Sequence, residues 1–570
     1  MQFSRNRIIC AAILLGVYGT ECAAYAQSGD DTPSHLEVAN AGRGTAGSSF
    51  IPVDSWITSS AIRLYELGYL PTLYLGLRPW TRVSLAHALK LSETELLQGD
   101  PGGEAVEIFD RLRHELRAES EDPTASAARI TPEYGYTRVR AISGNVLTDS
   151  YHFGQTIVND YGRPTQNGAN SISGFAAHGV AGRFSLSFRG EYQHAPAGPG
   201  FTPAVATELT LIDRPDLRFP APIVAAGPVA SSDVFRIVEA DASVHLLGHE
   251  ISFGKQDAWL GPAQGASMIW SNNAESPYTF RINRVEPLWV PGLSRVTGLF
   301  RYEFRVGSLK GHTVPNSPWI HSEKVSFKPT PDLEFGFSRS VIWGGKEHVP
   351  ITLGSFWRSF VSLTGVNPAV KASREDPGAR FSQFDFSWRI PWQSHLITLY
   401  TDSITHDNVF PISNPERSGW RPGIYLSRLP WLKRADLRVE AANTDTSVRT
   451  LDKGQYTYWE TAQPEGYTNK GQLMGDWIGR QGKGGQAWLT WHLHPGEFVQ
   501  LDWRMAKASN LFLAGGTTQQ QLGLSTTFRP RRDIEISGAL KGEVWRAPLM
   551  SAGTHSNVYG EAQVRWYFKP

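Results

Sequence analysis

The sequence predicts a mainly β fold: a large antiparallel transmembrane β-barrel of roughly 18 strands, preceded by a small N-terminal α-helical bundle. Three observations predict it. In the last dozen residues, Val558, Gly560, Ala562, Val564, Trp566 and Phe568 alternate with Tyr559, Glu561, Gln563, Arg565, Tyr567 and Lys569. One face is therefore apolar and the other polar, the period of a β-strand. The same period begins near Arg129 and persists to the end. Finally, 19 Trp, 19 Tyr and 27 Phe accompany a mean hydropathy of −0.30, as expected when a lipid-facing band is spread over alternate residues. A soluble strand with one wet face shares the alternation. An aromatic pair closing an exported chain without thiols favours the barrel.

Residues 1–26 read as a secretory leader, with Arg5 and Arg7, the apolar run Ile8 to Val17, and Ala24-Tyr25-Ala26 as the cleavage site. The run is too short to span a bilayer. Both cysteines, Cys10 and Cys22, fall inside it, so the exported chain is expected to form no disulfide and no cysteine-ligated metal site. The remaining 544 residues carry 53 basic and 53 acidic side chains, without the surplus that nucleic-acid binding requires. No cofactor is expected.

Residues 27–49 are polar and small, a flexible arm. Residues 50–124 carry helical patterns. Asp54 is positioned to cap a helix in which Ile57, Ala61, Leu64 and Tyr65 share a face. Thr81 caps a second, and Ala105, Phe109, Leu112 and Leu116 form the stripe of another.

Residues 129–570 are assigned to the barrel. Phe300, Tyr302, Phe304 and Val306 lie opposite Arg301, Glu303 and Arg305, which suits lipid outside and a polar lumen. Short Pro-led turns recur at Pro329-Thr330-Pro331-Asp332, Pro495-Gly496 and Pro530-Arg531-Arg532-Asp533. With similar turns near Pro391 and Lys433, the spacing gives about 50 residues per hairpin, hence roughly nine hairpins. The stretches Asn408–Pro422 and Tyr456–Gln486 are expected as external loops.

Four segments resemble the capsule assembly Wzi family. They are Phe253-Gly254-Lys255-Gln256-Asp257-Ala258-Trp259-Leu260-Gly261-Pro262 with Ser267 to Ala274; Phe50 to Trp56 with Leu77 to Arg82; Glu334 to Arg339 with Trp343-Gly344-Gly345; and Gly466 to Gly471 with Gly475 and Ile478-Gly479. The resemblance implies an outer-membrane barrel with a periplasmic helical bundle. It also implies a lectin-like, non-enzymatic role: binding capsular polysaccharide or exopolysaccharide and helping its surface attachment and capsule assembly. Outer-membrane lipid and the barrel-insertion machinery are the other partners implied. Two departures stand out: Leu260 where a second aromatic is expected, and an end at Phe568-Lys569-Pro570 rather than on the aromatic. A porin-like diffusion channel for small solutes is the alternative reading of a large polar-lumened barrel.

Sugars are held by aromatic faces and planar polar groups. Trp259, Trp270, Asn272, Asn273 and Arg281 supply that mixture, and Arg339 adds a cation suited to an acidic glycan. The same residues equally suit a structural network inside the lumen, with Lys255, Gln256 and Asp257 bonding one another. His492 and His494 share a strand face without a third metal ligand nearby. Asp402, His406 and Asp407 read as a polar loop rather than an acid–base set. Gly479 to Gly485 lacks the Ser or Thr of a phosphate loop and reads as a flexible surface loop.

Overall fold

A computed structural model describes residues 46–99, 103–121, 128–214, 223–362, 367–393, 396–407, 411–446 and 453–568. The expected leader, most of the expected arm, and the final Lys569-Pro570 lie outside them.

Alternation builds the wall. Its strands are β1 (Arg129–Gly144), β2 (Gly168–Ala181), β3 (Phe184–Ala195), β4 (Ser232–Leu246), β5 (His249–Lys255), β6 (Tyr278–Arg284), β7 (Leu299–Ser308), β8 (Trp319–Thr330) and β9 (Leu333–Trp343). They continue with β10 (Ala379–Arg389), β11 (Ile397–His406), β12 (Gly419–Leu426), β13 (Ala435–Asn443), β14 (Gly482–His494), β15 (Glu497–Ala508), β16 (Thr517–Arg531), β17 (Ile534–Ala547) and β18 (Ser551–Tyr567). Each pairs with its neighbour in sequence, and β1 pairs β18, closing an 18-stranded antiparallel barrel. The seam runs from Tyr134 opposite Tyr567 to Gly144 opposite Asn557. Closure leaves no free sheet edge. On β18, Val558, Val564 and Trp566 are exposed to the outside while Tyr559 and Arg565 are buried in the lumen, as the final dozen residues predict.

One end of the barrel carries tight turns. At Pro495-Gly496, Gly496 has φ 74°, a conformation that favours glycine. The expected turns after Pro329, Pro495 and Pro530 all connect adjacent strands at this end.

The same end is stoppered by helices α1 (Trp56–Glu66), α2 (Arg82–Leu91), α3 (Glu93–Gly99), α4 (Glu104–Glu115) and α5 (Arg117–Glu121). Ile57, Leu64, Tyr65, Leu85, Leu89, Phe109 and Leu112 make their shared core. Ser55, not Asp54, caps α1, its hydroxyl accepting the Ile57 amide. Asp54 instead receives the Arg189 guanidinium of β3 at 2.8 Å. Lumen side chains anchor the helices throughout. Arg389 donates to the carbonyls of Tyr65 at 2.5 Å and Tyr69 at 3.0 Å. Glu334 accepts the amides of Leu75 and Gly76, and Arg63 donates to Tyr425 Oη at 2.8 Å. Arg438 pairs with Glu66.

The opposite end is filled from within. Of Tyr456–Gln486, expected as an external loop, residues 482–486 belong to β14, while segment 453–481 folds into the lumen together with segments 145–167 and 256–277. Tyr458, Tyr467, Leu473 and Met474 meet Met268, Ile269, Trp270 and Tyr151 in one core with the wall residues Ile320, Ile342 and Phe381. Apolar burial explains the inward course: five aromatic side chains lie from Tyr456 to Trp477, too much apolar surface to leave in water. Of Asn408–Pro422, the other expected loop, residues 419–422 belong to β12 and 411–418 form two short 3-10 turns. Residues 408–410 lie outside the described ones. Gly479 to Gly485 is no flexible surface loop: Arg480 is buried, stacked 4.4 Å from Tyr151, and bound to Asp213 at 2.5 Å.

Candidate functional site: the lumenal plug and its cavity

The three inward segments are tied by main-chain bonds. Tyr161 and Gly162 amides donate to the Asn272 and Asn273 carbonyls at 2.7 and 3.0 Å, and the Ser271 amide donates to Met474 at 2.8 Å. Buried charges fix the plug to the wall. Arg421 of β12 holds Asp476 at 2.5 and 2.7 Å and Glu440 of β13 at 2.9 Å. Asp402 of β11 accepts the Met268 amide at 2.8 Å. Such pairs are poor sources of net stability, but removing one partner strands the other charge, so they specify one arrangement of the loops.

The predicted site residues fall into this framework. Trp259 is buried beneath Arg78, 5.3 Å from its ring, and its indole donates to the Ala263 carbonyl at 2.9 Å. Trp270 lies under Arg305 at 4.6 Å. Asn273 donates to the Leu473 carbonyl at 3.0 Å. Arg281 donates to Gln256 at 3.0 Å and pairs with Glu303. Arg339 stands apart: it faces outward from β9, donating to the carbonyls of Ser359, Phe360 and Ser362. Of the six, Trp259 and Asn272 line an open space.

That space is a cavity of about 410 Å³ between α1, the underside of the plug, and the inner face of β13 to β15. Its rim includes Ser59, Arg434, His494 and Glu497 at the turn end, and its inner wall includes Asn159, Gln264, Gly265 and Asn272. Alternation on β14 sends Gln486, Trp488, Thr490 and His492 inward, while Leu489 and Trp491 stay exposed outside. The half-buried Trp488 thus sits beside planar amides. The buried side-chain carbonyl oxygens of Asn159, Asn272 and Gln486 find no hydrogen-bond donor among the described residues. Gly265 lets the two side chains close in, since an added Cβ would meet Gln486 Oε1 at 2.2 Å and Glu440 Oε2 at 2.8 Å and both would have to move. Burial raises the Glu66 carboxyl above its usual range against the pull of Arg438. Burial and the neighbouring charge of Arg438 lower the Arg78 guanidinium to about 10. An aromatic face among amides and paired charges can hold a polyhydroxylated ring: the face takes its C–H side, and the amides take its hydroxyls.

Trp488 was not singled out in the sequence, although its signal was present: an aromatic on the polar phase of a strand whose other tryptophan, Trp491, lies on the outer face. His406, Asp407 and Glu460 bring ligand atoms within 4.8 Å of one another. Lys371 Nζ lies 2.7 Å from Glu460, and Arg380 lies 2.9 Å from Asp407, so these carboxylates already have cations. His492 pairs with Asp436 at 2.6 Å.

Among solved structures, the fold is similar to that of Wzi, an Escherichia coli outer-membrane protein involved in group 1 capsule assembly and described as a carbohydrate-binding β-barrel. The TM-score is 0.65 at 16% identity, over 92% of this chain and 100% of that one. Pseudomonas aeruginosa OccK5 (OpdH) aligns with a TM-score of 0.40 at 8% identity, over 77% of this chain and 98% of that one. A Klebsiella pneumoniae relative, an uncharacterized 55.8 kDa protein in the cps region, is 25% identical over 186 residues, 31% of this chain. The match spans about a third (35%) of that relative's length. The family profile described as capsule assembly protein Wzi matches residues 138–559. The chain belongs to the capsule assembly protein Wzi family.

Proposed function

We propose that this protein is a non-enzymatic, lectin-like barrel of the outer membrane that binds capsular polysaccharide or exopolysaccharide and helps attach it to the cell surface during capsule assembly. In this reading the tight turns and helices α1 to α5 face the periplasm, and the loop end faces outward. Lipid surrounds the wall, which the barrel-insertion machinery would place. The observation that carries the reading is the filled lumen. Helices stopper one end, three folded segments fill the other, and the interior space between them is a polar cavity with an aromatic wall. A diffusion channel for small solutes needs a continuous aqueous path, and the plug argues against one.

Trp259 and Asn272, with Trp488, would touch the sugar in the cavity. Trp270, Asn273 and Arg281 would act by holding the plug, and Arg339 by holding the outer loop. The decisive experiment is deletion of the gene in a capsulated host. Capsular material should still be made but pass from the cell surface into the medium. Unchanged cell-bound capsule would overturn the reading. Planar-bilayer recording of the purified protein should show no steady conductance, and a stable open pore would favour the channel instead.

A further inference from the structure

The connection between β9 and β10 carries a helix, α6 (Leu353–Val361), that lies not over the lumen but against the outside of the wall. Its inner face is fixed by three kinds of contact. Phe356 packs on Phe304 of β7 at 6.2 Å, Trp343 of β9 at 5.9 Å and His321 of β8 at 5.4 Å. All three point away from the lumen, opposite Arg305, Ile342 and Ser322 in the strand alternation. Ser359 Oγ lies 3.0 Å from His321 Nε2, whose Nδ1 lies 2.6 Å from Glu323. Thr352 and Ser355 close a capping box at the N-terminus. At the C-terminus, Arg339 gathers the carbonyls of Ser359, Phe360 and Ser362 at 2.6 to 2.7 Å. A cation belongs at that end of a helix.

Among the described residues the outer face packs on no side chain of the wall, and Trp357 meets Phe356 at 5.9 Å and Phe360 at 5.6 Å on its own helix. Leu353 is 80% exposed, Trp357 57% and Val361 62%. Spacings of four place them in one row. The helix LGSFWRSFV contains no acidic residue, and its one charge, Arg358, turns aside to Glu375 at 2.9 Å and the Arg374 carbonyl. This row continues the apolar exterior of the same wall, where Val325 of β8 and Phe280 of β6 are exposed.

We propose that α6 is an interfacial anchor: it lies flat in the outer leaflet with Leu353, Trp357 and Val361 among lipid acyl chains, and so sets the depth of the loop end in the membrane. An amphipathic helix lying in the membrane plane buries its apolar face about 5–10 Å into the headgroup boundary, and tryptophan is favoured at that depth. The partner is lipid rather than a second protein because the row is continuous with the lipid-facing wall. This inference rests on the barrel standing in a membrane as proposed above.

The test uses the full chain with Cys10→Ser and Cys22→Ser, which leaves no native thiol. Single nitroxides are placed at Trp357→Cys, at Val325→Cys on the bare wall, and at Glu375→Cys, and each protein is reconstituted in phosphatidylcholine vesicles. Folding is checked by heat-modifiable gel migration. A label at 357 should be relaxed several-fold more by oxygen than by a water-soluble nickel chelate, as at 325, with the opposite order at 375. A label at 357 that follows 375 while 325 reports lipid overturns the anchor and leaves the barrel standing. If 325 also reports water, the membrane reading falls and the anchor with it. Dipolar broadening at 357, from a second copy seated on the row, would overturn lipid as the partner.

Discussion

Asp257 Oδ2 accepts the backbone amide of Val53 at 2.9 Å, across 204 residues of sequence. The same oxygen accepts the Tyr161 hydroxyl at 2.9 Å. One carboxylate therefore joins the residues leading into α1 to two of the inward segments. Asp257→Leu should leave both donors buried without a partner, at a cost of roughly 1–3 kcal/mol each. The expected outcome is a barrel that still migrates as folded but whose helices 56–121 become open to limited proteolysis. Protection equal to wild type would show that Asp257 does not join them.

Arg421 and Asp476 are fully buried partners. Asp476→Ala should destabilise the plug by roughly 3–5 kcal/mol, because it strands much of the Arg421 charge. The measurement is planar-bilayer conductance: flickering openings in the variant against a silent parent.

Trp488 is the aromatic wall of the cavity. Trp488→Ala should weaken binding of an oligosaccharide cut from the host polysaccharide about tenfold, which corresponds to about 1.4 kcal/mol. Trp491→Ala, three residues on but on the outer face of the wall, should change nothing. Titration calorimetry on both variants checks the pair, and equal affinities would remove the cavity from the binding site.

His152 lies between Asp149 at 2.7 Å and Asp213 at 3.0 Å. Burial opposes its charge, but the two carboxylates prevail and raise it to about 9. Arg480 also faces Asp213, and Asp149 is itself held below the usual carboxylate range despite its burial, chiefly by His152. Because the folded value exceeds the unfolded one near 6.5, this contribution is complete below about pH 6.5 and is lost as pH rises through 9, worth roughly 3 kcal/mol in all. Segment 145–156 should therefore loosen between pH 8 and 10, read as increased amide exchange. His152→Asn should flatten that dependence.

Ser359, His321 and Glu323 have the connectivity of a hydrolase relay, yet Ser359 and His321 are fully buried and the serine hydroxyl donates to the Phe356 carbonyl at 2.7 Å. A nucleophile needs access and a free proton route to its base. No covalent labelling by a fluorophosphonate probe is expected.

The wall was legible because an apolar outer face and a polar lumen impose a two-residue period. Val558 to Phe568 and Phe300 to Val306 state it residue by residue, and the Pro-led turns give its repeat. The course of segment 456–481 was not legible. Gly466, Asn469 and Lys470 look like loop chemistry, and only their distant partners show where they go: Asn469 accepts the Lys310 amide at 2.9 Å, and Lys470 meets Glu275 at 2.9 Å. Those partners are more than 150 residues away. The six candidate residues were found as a chemical mixture, but composition cannot distinguish a ring stacked on sugar from Trp270 stacked on Arg305. Residue α6 contacts were equally hidden, since the row Leu353, Trp357 and Val361 reads as an ordinary core face until His321 and Trp343 are seen to occupy its other side.

Arg78 and Trp259 exchange amide-to-carbonyl bonds in both directions, at 3.2 and 3.1 Å, so the helical stopper and the folded segments are riveted into a single shaft inside a sleeve. A push on the helices would then reach the folded segments directly, and through Arg421 and Asp402 it would be shared with the wall.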